Sequence, residues 1–265
     1  MTSRPALNIE TTGRTDAAAP VLALVHGWGI GKAVWRPVVE VLAAEFRLHL
    51  VDLPGYGAST DHGAGFEETA RQLLYALPAG ATLCGWSLGS QLALQSALLA
   101  PGHIGKLVLV GASPSFTQRD GWLQAQSPAL LQTFSAAIAA DAKATLQRFV
   151  ALFNQGDSQA RTIGRMIVKE VLSDPLPETN TLLSGLDWLR DVDLRAHIPL
   201  IASPTLLIHG EHDPLMPLAA ARWLADHLPD ASFETFSGAA HAPFLNQPER
   251  FARLIGDFCH APAPH

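Results

Sequence analysis

The stretch Gly85-Trp86-Ser87-Leu88-Gly89 joins a short apolar run, residues 81–84, to a stretch of helical periodicity, residues 90–99. Glycine, serine and glycine at this spacing, between a strand and a helix, are typical of a sharp turn that exposes the serine hydroxyl. Glycine suits both flanking positions because it has no Cβ to collide with the tightly folded backbone. The stretch predicts a strand–turn–helix unit with Ser87 as a candidate nucleophile.

The same alternation of strand and helix recurs along the chain. Further apolar runs that end in glycine or a turn occupy residues 21–25, 48–51, 107–110, 205–209 and 232–236. Short runs of this kind are typical of strands that are buried on both faces. Helical stretches follow at residues 35–45, 67–76, 218–227 and 248–258. The alternation predicts an α/β fold, in which a mostly parallel central sheet is flanked by helices and the functional residues follow the strands.

One long segment, residues 113–195, breaks this alternation. It has no strand pattern, and its apolar residues recur at helical spacing, as in Leu146, Phe149, Val150 and Phe153. We expect several short helices that form a lid over the carboxyl ends of the strands. The predicted organisation is a core of residues 1–112 and 196–265, interrupted by a helical cap of residues 113–195.

The composition limits the classes of function. The 265 residues include 24 acidic residues and 18 lysines and arginines, and a net charge of −6 argues against general nucleic-acid binding. The two cysteines, Cys84 and Cys259, cannot form a disulfide framework, and the sequence contains no CxxC metal pattern. No apolar run suggests a signal peptide or a membrane span, so we expect a cytoplasmic protein without membrane association.

A nucleophilic serine needs a base, and the base needs a third group that fixes its tautomer. In this arrangement the chain order is serine, then an acid, then histidine. Of eleven histidines, His241 lies in a loop of small residues after the last predicted strand and before the final helix. Asp213 follows the strand at 205–209, and Pro214 fixes the turn after it, which favours it over Glu211. The predicted catalytic residues are therefore Ser87, Asp213 and His241.

Acyl transfer also needs backbone N–H groups directed at the developing oxyanion. One should come from Leu88, the residue after the nucleophile, and the other from the loop His26-Gly27-Trp28-Gly29, with the N–H of Trp28 as our candidate. The indole of Trp28 would then form a wall of the acyl site. Packing of Trp28 in the core is compatible with both roles.

Four motifs together resemble one family. Residues 25–29 (Val-His-Gly-Trp-Gly), 48–57 (Leu-His-Leu-Val-Asp-Leu-Pro-Gly-Tyr-Gly), 85–89 and 239–244 (Ala-Ala-His-Ala-Pro-Phe) are similar to motifs of the BioH family, the carboxylesterases of biotin biosynthesis. The segments 148–152 (Arg-Phe-Val-Ala-Leu) and 192–195 (Val-Asp-Leu-Arg) are similar too. The resemblance implies the α/β-hydrolase fold with an inserted helical lid. It also implies hydrolysis of the methyl ester of pimeloyl-acyl-carrier protein.

The resemblance further implies binding roles for residues of the cap. The acyl channel would be lined by Phe149, Val150, Ala151, Leu152 and Phe153. The acidic carrier protein would dock on basic residues, for which the candidates are Arg148, Arg161, Arg165 and Lys169. The last three are spaced by four and share one helix face, an arrangement that is also typical of an ordinary solvated face. Ala144, beside Lys143, stands where the family has a further arginine, so the details of docking differ.

Other functions remain open at this point. A short-chain carboxylesterase, an enol-lactonase or a hydrolase of carbon–carbon bonds would carry the same triad, and so would a binding protein that keeps the fold but turns over slowly. The chemistry implies no metal and no organic cofactor. We expect a monomer whose partner is the acyl-carrier protein that bears the pimeloyl methyl ester.

Overall fold

A seven-stranded sheet forms the centre of the protein. The computed structural model describes residues 7–60, 63–172 and 175–261. The strands lie in the order β1-β3-β2-β4-β5-β6-β7, and β1 is antiparallel to β3 while every other pair is parallel. Their bounds are β1 Ile9–Gly13, β2 Val21–Val25, β3 Arg47–Val51, β4 Thr82–Trp86, β5 Lys106–Val110, β6 Thr205–Gly210 and β7 Ala231–Phe236. The predicted α/β class with a mostly parallel sheet is confirmed.

The central strands are apolar throughout because both faces of the sheet are covered. Along β2, Leu22 and Leu24 pack on the side of the first and last helices, whereas Ala23 and Val25 pack on the opposite side. Successive side chains of a strand point to opposite faces, so a strand between two helical layers needs apolar residues at every position. Every residue of β4 is accordingly buried.

The helices of the core connect these strands. They are α1 Arg36–Ala43, α2 Phe66–Ala76, α3 Leu88–Leu99, α8 Leu218–His227, α9 Pro243–Asn246 and α10 Pro248–His260. The helix expected at 35–45 begins with a short 3-10 turn, Lys32–Trp35, and its α-helical part starts at Arg36, where Pro37 fits the first turn. None of the helices in the described part of the chain is both long and apolar enough to cross a membrane.

In the described part of the chain, four α-helices and the short 3-10 helix Arg195–Leu200 lie between β5 and β6. The four α-helices, the cap helices, are α4 Pro128–Ala140, α5 Ala142–Phe153, α6 Ala160–Glu170 and α7 Thr179–Asp191. Their buried residues, among them Leu146, Phe149 and Leu182, belong to the same apolar cluster as Trp28 and the core strands. The boundaries of the cap at 113 and 195 stay predictions, and the predicted ends of the core at residues 1 and 265 lie outside the described residues.

Candidate active site

Ser87 occupies the turn between β4 and α3 in a strained conformation. Its φ of 57° and ψ of −119° make it the one residue other than glycine with positive φ in the described part of the chain. The turn is tight enough to exclude side chains on either side. A Cβ on Gly85 would lie 2.2 Å from the carbonyl oxygen of Gly89, and a Cβ on Gly89 would lie 2.6 Å from that of Val25. The strain is maintained by the surrounding structure, as is common at functional sites.

His241 and Asp213 form a buried pair. His241 Nδ1 lies 2.7 Å from Asp213 Oδ2, and both side chains are completely buried. Asp213 follows β6, and His241 lies between β7 and α9 in the histidine loop, residues 237–242. Since an ionised carboxylate only accepts hydrogen bonds, Nδ1 carries the proton and Nε2 keeps its lone pair. Nε2 is buried and has no hydrogen-bond partner within the described residues.

The structure brings Ser87 and His241 to the same end of β5. The backbone N–H of Ser87 donates to the carbonyl oxygen of Val110 at 2.9 Å. The next residue, Gly111, lies against the imidazole, because a Cβ there would be 3.0 Å from His241 Nδ1. Trp86 Nε1 donates to the carbonyl oxygen of His241 at 2.8 Å and fixes the histidine loop beside the turn that carries Ser87. The imidazole therefore lies at the same end of β5 as the strained serine, and its Nε2 has no hydrogen-bond partner within the described residues.

Several contacts keep Asp213 ionised. Burial opposes ionisation, but the charge and hydrogen bond of His241, with a further contribution from His209, lower the pKa of Asp213 below its ordinary value. Asp213 Oδ1 also accepts the backbone N–H groups of Leu215 and Met216 at 2.9 and 2.8 Å. These two donors come from the turn that Pro214 forms, so the proline favoured by sequence reasoning has a structural role. A carboxylate held in this way orients and supports an imidazolium.

The loop after β2, residues 26–29, is held in place by hydrogen bonds of His26. His26 Nδ1 donates to the carbonyl oxygen of Gly27 at 2.8 Å, and Nε2 accepts the N–H of Leu53 at 3.1 Å. Burial lowers the pKa of His26 to about 4, so the ring is neutral at pH 7. Tyr56 Oη accepts the N–H of Gly29 at 2.9 Å. The backbone that carries Trp28 is therefore rigid.

The two predicted oxyanion donors lie at the ends of neighbouring strands. Within the described residues, the backbone N–H groups of Trp28 and Leu88 have no hydrogen-bond partner. The indole of Trp28 is buried between core and cap, where it packs edge-on against Phe149 at 4.9 Å between ring centres. Both N–H groups are thus free to bind an anionic oxygen, although the role itself remains a prediction.

An apolar cavity opens at Ser87 beneath the cap helices. The space in it that a water-sized molecule can occupy is small, about 20 Å³. The residues that line it are Trp28, Ser87, Phe116, Leu130, Leu131, Phe134, Phe149, Leu186, Leu189 and Leu215. Except for Ser87, all of these side chains are apolar or aromatic. The lining is therefore of the kind that contacts the hydrocarbon part of a ligand beside the serine.

The acyl lining expected from residues 149–153 needs correction, because only Phe149 lines this cavity. Val150 and Phe153 are buried elsewhere in the core, Leu152 is half-buried, and Ala151 is exposed. Five consecutive residues of a helix point in all directions, so they cannot share one face. Phe153 instead packs against the ring of His241, with 6.2 Å between ring centres.

The basic candidates lie on the outer surface of the cap helices. Arg161, Arg165 and Lys169 are exposed on one face of α6, whose opposite face buries Ile163 and Ile167. Arg148 is exposed on α5. In the described ranges none of these four cations forms an ion pair with a carboxylate. They form the charged outer face that the spacing predicts, and their docking role remains a prediction.

Sequence reasoning missed two groups of residues in the site. The first is the apolar lining from α4 and α7, represented by Phe134 and Leu186, for which helical periodicity gives the buried face but not the cavity that it meets. The second is His209, whose Nε2 donates to the carbonyl oxygen of Met216 at 2.7 Å and lies 3.4 Å from Asp213 Oδ2. Its place four residues before Asp213, at the end of a strand, was the available signal.

Ser87 follows β4, an acid follows β6, and a histidine follows the last strand. Together with the order of the sheet, these positions define the class of α/β hydrolases. A family model described as alpha/beta hydrolase fold matches residues 20–248. Solved structures agree on the fold. An esterase from Exiguobacterium antarcticum aligns with a TM-score of 0.84 at 24% identity, covering 96% of both chains. The enol-lactonase from Burkholderia xenovorans LB400 aligns with a TM-score of 0.83 at 22% identity, also covering 96% of both chains.

Curated relatives are much more similar in sequence. The chain is 41% identical to a pimeloyl-[acyl-carrier protein] methyl ester esterase of Vibrio vulnificus, over 92% of this chain and 96% of the relative. It is 39% identical to the protein of the same name from Nitrosomonas europaea, with the same coverage. The chain belongs to the family of pimeloyl-[acyl-carrier protein] methyl ester esterases, a branch of the α/β hydrolases.

Proposed function

We propose that this chain is a serine carboxylesterase that hydrolyses the methyl ester of pimeloyl-acyl-carrier protein in biotin biosynthesis. The observation that carries the chemistry is the completely buried pair of His241 and Asp213, at 2.7 Å, beside the strained Ser87. The names and the identity of the curated relatives support the choice of substrate.

The reaction proceeds in two acyl-transfer steps. His241 Nε2 takes the proton of Ser87 Oγ while the oxygen attacks the ester carbonyl and forms a tetrahedral intermediate. The intermediate collapses, the ester C–O bond breaks, and His241 gives its proton to the departing methoxide, which leaves as methanol. A water molecule, deprotonated by the same Nε2, then attacks the acyl-enzyme and releases the free acid and Ser87. Asp213 holds Nδ1 protonated throughout and stabilises the imidazolium.

The oxyanion of each intermediate binds the N–H groups of Trp28 and Leu88. Neither group has another partner in the described structure, and Leu88 begins α3, whose N-terminus carries a partial positive charge. Each donor contributes about 3 kcal/mol to stabilising the transition state, by comparison with measured oxyanion holes.

The cavity and the outer face of the cap bind different parts of the substrate. The aromatic and aliphatic lining accepts the methylene chain of the pimeloyl group, and this burial stabilises the complex by about 0.8 kcal/mol per CH₂. The acidic carrier protein docks on Arg148, Arg161, Arg165 and Lys169, whose charges are free of carboxylate partners in the described chain. Their charge speeds encounter with the carrier more than it tightens the complex.

Complementation tests the proposal directly. A biotin auxotroph that lacks its own methyl esterase should grow without biotin when it expresses the wild-type chain, and should not grow with Ser87→Ala. Purified protein should release methanol from the carrier-linked ester faster than it opens lactones. Growth with both proteins, or with neither at equal expression, contradicts the assignment.

A further inference from the structure

The loop between α5 and α6 is joined to the histidine loop by a set of buried hydrogen bonds. This cap loop spans residues 154–159. The N–H of Ser158 donates to the carbonyl oxygen of Gly238 at 2.9 Å, and the N–H of His241 donates to that of Phe153, the last residue of α5, at 3.2 Å. The loop that carries the histidine is thus attached to the cap as well as to the sheet.

Asp157 is the centre of this set of contacts. Its Oδ2 accepts the backbone N–H of Ala240 at 2.9 Å. Its Oδ1 accepts the N–H of Gln159 at 2.7 Å and the side-chain Nδ2 of Asn246 at 2.6 Å. Three N–H donors from three different segments therefore converge on one carboxylate.

The environment of Asp157 differs from that of a surface acid. Asp157 and Asn246 are only 8% and 6% exposed. Among the described residues Asp157 forms no ion pair, so its charge is balanced by N–H dipoles alone. A buried carboxylate is tolerated when its oxygens accept several hydrogen bonds, and removing those bonds is costly. The cluster is a specific connection between the cap and the histidine loop.

The connection acts on the residue next to the base. Ala240 and His241 are adjacent, and the N–H groups of both are held by the cap, through Asp157 and Phe153 respectively. On the side of the sheet, Trp86 holds the carbonyl oxygen of His241. His241 Nε2 has no hydrogen bond of its own, so its position is set by the backbone and by Asp213. An error of about 1 Å in such a position can lower the rate by about 100-fold.

We propose that Asp157 is a positioning residue that holds the base His241 in register with Ser87 by fixing the backbone of Ala240 to the cap. This inference rests on the proposed function, since it assigns His241 the role of base. Asp157 touches neither substrate nor reacting atoms. It makes the geometry of the base depend on the cap, and therefore links the part of the protein that binds the acyl chain to the part that moves the proton.

Asp157→Asn is the test variant. Asparagine keeps the size of the side chain but replaces one carboxylate oxygen by an NH₂ group. In one orientation this NH₂ group faces the N–H of Ala240, and in the other it faces the donors of Gln159 and Asn246. In either orientation, two donors face each other without an acceptor. With p-nitrophenyl acetate, kcat should fall about tenfold while KM changes by less than about twofold, and the acidic limb of the pH profile, which reports deprotonation of the base, should move. Asp141→Asn is the matched control, because Asp141 is an exposed cap acid whose carboxylate, among the described residues, accepts only from the N–H of Ala144 at the start of α5. It should leave kcat and the pH profile unchanged.

Exchange of the two partners supplies the rescue. In the double variant Asp157→Asn, Asn246→Asp, the new amide donates to the new carboxylate and its oxygen accepts from Ala240, whereas the N–H of Gln159 then faces the amide nitrogen. The exchange should therefore restore kcat in part, to about threefold above that of the single variant. A fall in melting temperature of the single variant with unchanged kcat and pH profile contradicts the proposal and leaves Asp157 a structural residue only. Failure of the exchange to restore kcat also contradicts it.

Two readouts do not depend on turnover of any ester. The NMR resonance of the proton between His241 Nδ1 and Asp213 should shift in Asp157→Asn, and the rate at which a fluorophosphonate labels Ser87 should fall about tenfold. If the single variant does not fold, Asn246→Ala, which removes one of the three donors, should change both readouts in the same direction to a smaller extent. Inactivity of the wild type on esters refutes the proposed function, whereas unchanged resonance and labelling refute the positioning role.

Discussion

Trp28 Nε1 donates a hydrogen bond of 2.8 Å to the carbonyl oxygen of Leu182, in the first turn of α7. The residue whose N–H is proposed to bind the oxyanion is therefore attached by its side chain to the cap. The fit is close, since a Cβ on Gly185, one helical turn further on, would lie 2.6 Å from the Trp28 ring. Core and cap form one continuous wall around the reacting ester.

Trp28→Phe should weaken this wall. The variant leaves the carbonyl oxygen of Leu182 without its donor in a buried site and removes part of a large apolar ring. We expect a loss of about 2 kcal/mol in the free energy of unfolding, measured by urea denaturation. The preference among p-nitrophenyl esters should broaden towards longer acyl chains, because the cavity grows. A variant as stable and as selective as the wild type contradicts the shared wall.

Asp213→Asn should abolish catalysis without unfolding the protein. The amide oxygen can still accept from Leu215 and Met216, while the NH₂ group faces His241 Nδ1 and shifts the ring proton to Nε2. The imidazole then cannot accept the proton of Ser87, and kcat should drop about 10⁴-fold. Asp226→Asn, an exposed acid of α8, is the matched control and should keep full activity. Substantial activity in Asp213→Asn argues for another acid.

Ser87→Gly should be more stable than Ser87→Ala. Both variants lack the nucleophile, but only glycine adopts a φ of 57° and ψ of −119° without steric strain. Release of 1–3 kcal/mol of strain, reduced by the greater freedom of glycine in the unfolded chain, leaves a gain of about 1 kcal/mol. Urea denaturation of the two inactive proteins measures the difference. Equal stabilities would show that the turn stores no strain.

Acid should destabilise the protein through His26. The folded ring stays neutral down to its lowered pKa of about 4, whereas the unfolded ring binds a proton below about pH 6.5. The contribution of His26 to the free energy of unfolding is therefore fully present above about pH 6.5. It falls by about 3 kcal/mol as the pH drops towards 4. His26→Gln should flatten that part of the curve of unfolding free energy against pH. His212→Gln, which changes an exposed histidine, should preserve the slope.

Reversal of charge on α6 should affect the carrier-linked substrate alone. Arg161→Glu with Arg165→Glu places two acids on the proposed docking face, which should raise KM for the carrier-linked ester roughly tenfold and weaken its dependence on salt. Hydrolysis of p-nitrophenyl acetate should not change, since both residues lie outside the cavity. Arg222→Glu, at an exposed position of α8, serves as the control. An equal effect of the control on KM contradicts a localised docking face.

Much of the fold could be predicted from local patterns. The strands β2 to β7 lie within two residues of the apolar runs that predict them, because a strand covered on both faces needs apolar residues at every position. The start of α3 also differs from its prediction by two residues. The helix begins at Leu88, directly after the serine, since the turn places only Ser87 between strand and helix.

The sequence by itself determined the α/β class, the turn at Ser87 and the candidates for base and acid, because these depend on short-range sterics and on chain order. Only the tertiary structure decided which side of α5 meets the cavity, that Phe149 lines it, and that Asp157 reaches Ala240, 83 residues away. Such contacts join segments that are distant along the chain, and neither periodicity nor spacing specifies the partner of a residue across a packed interface.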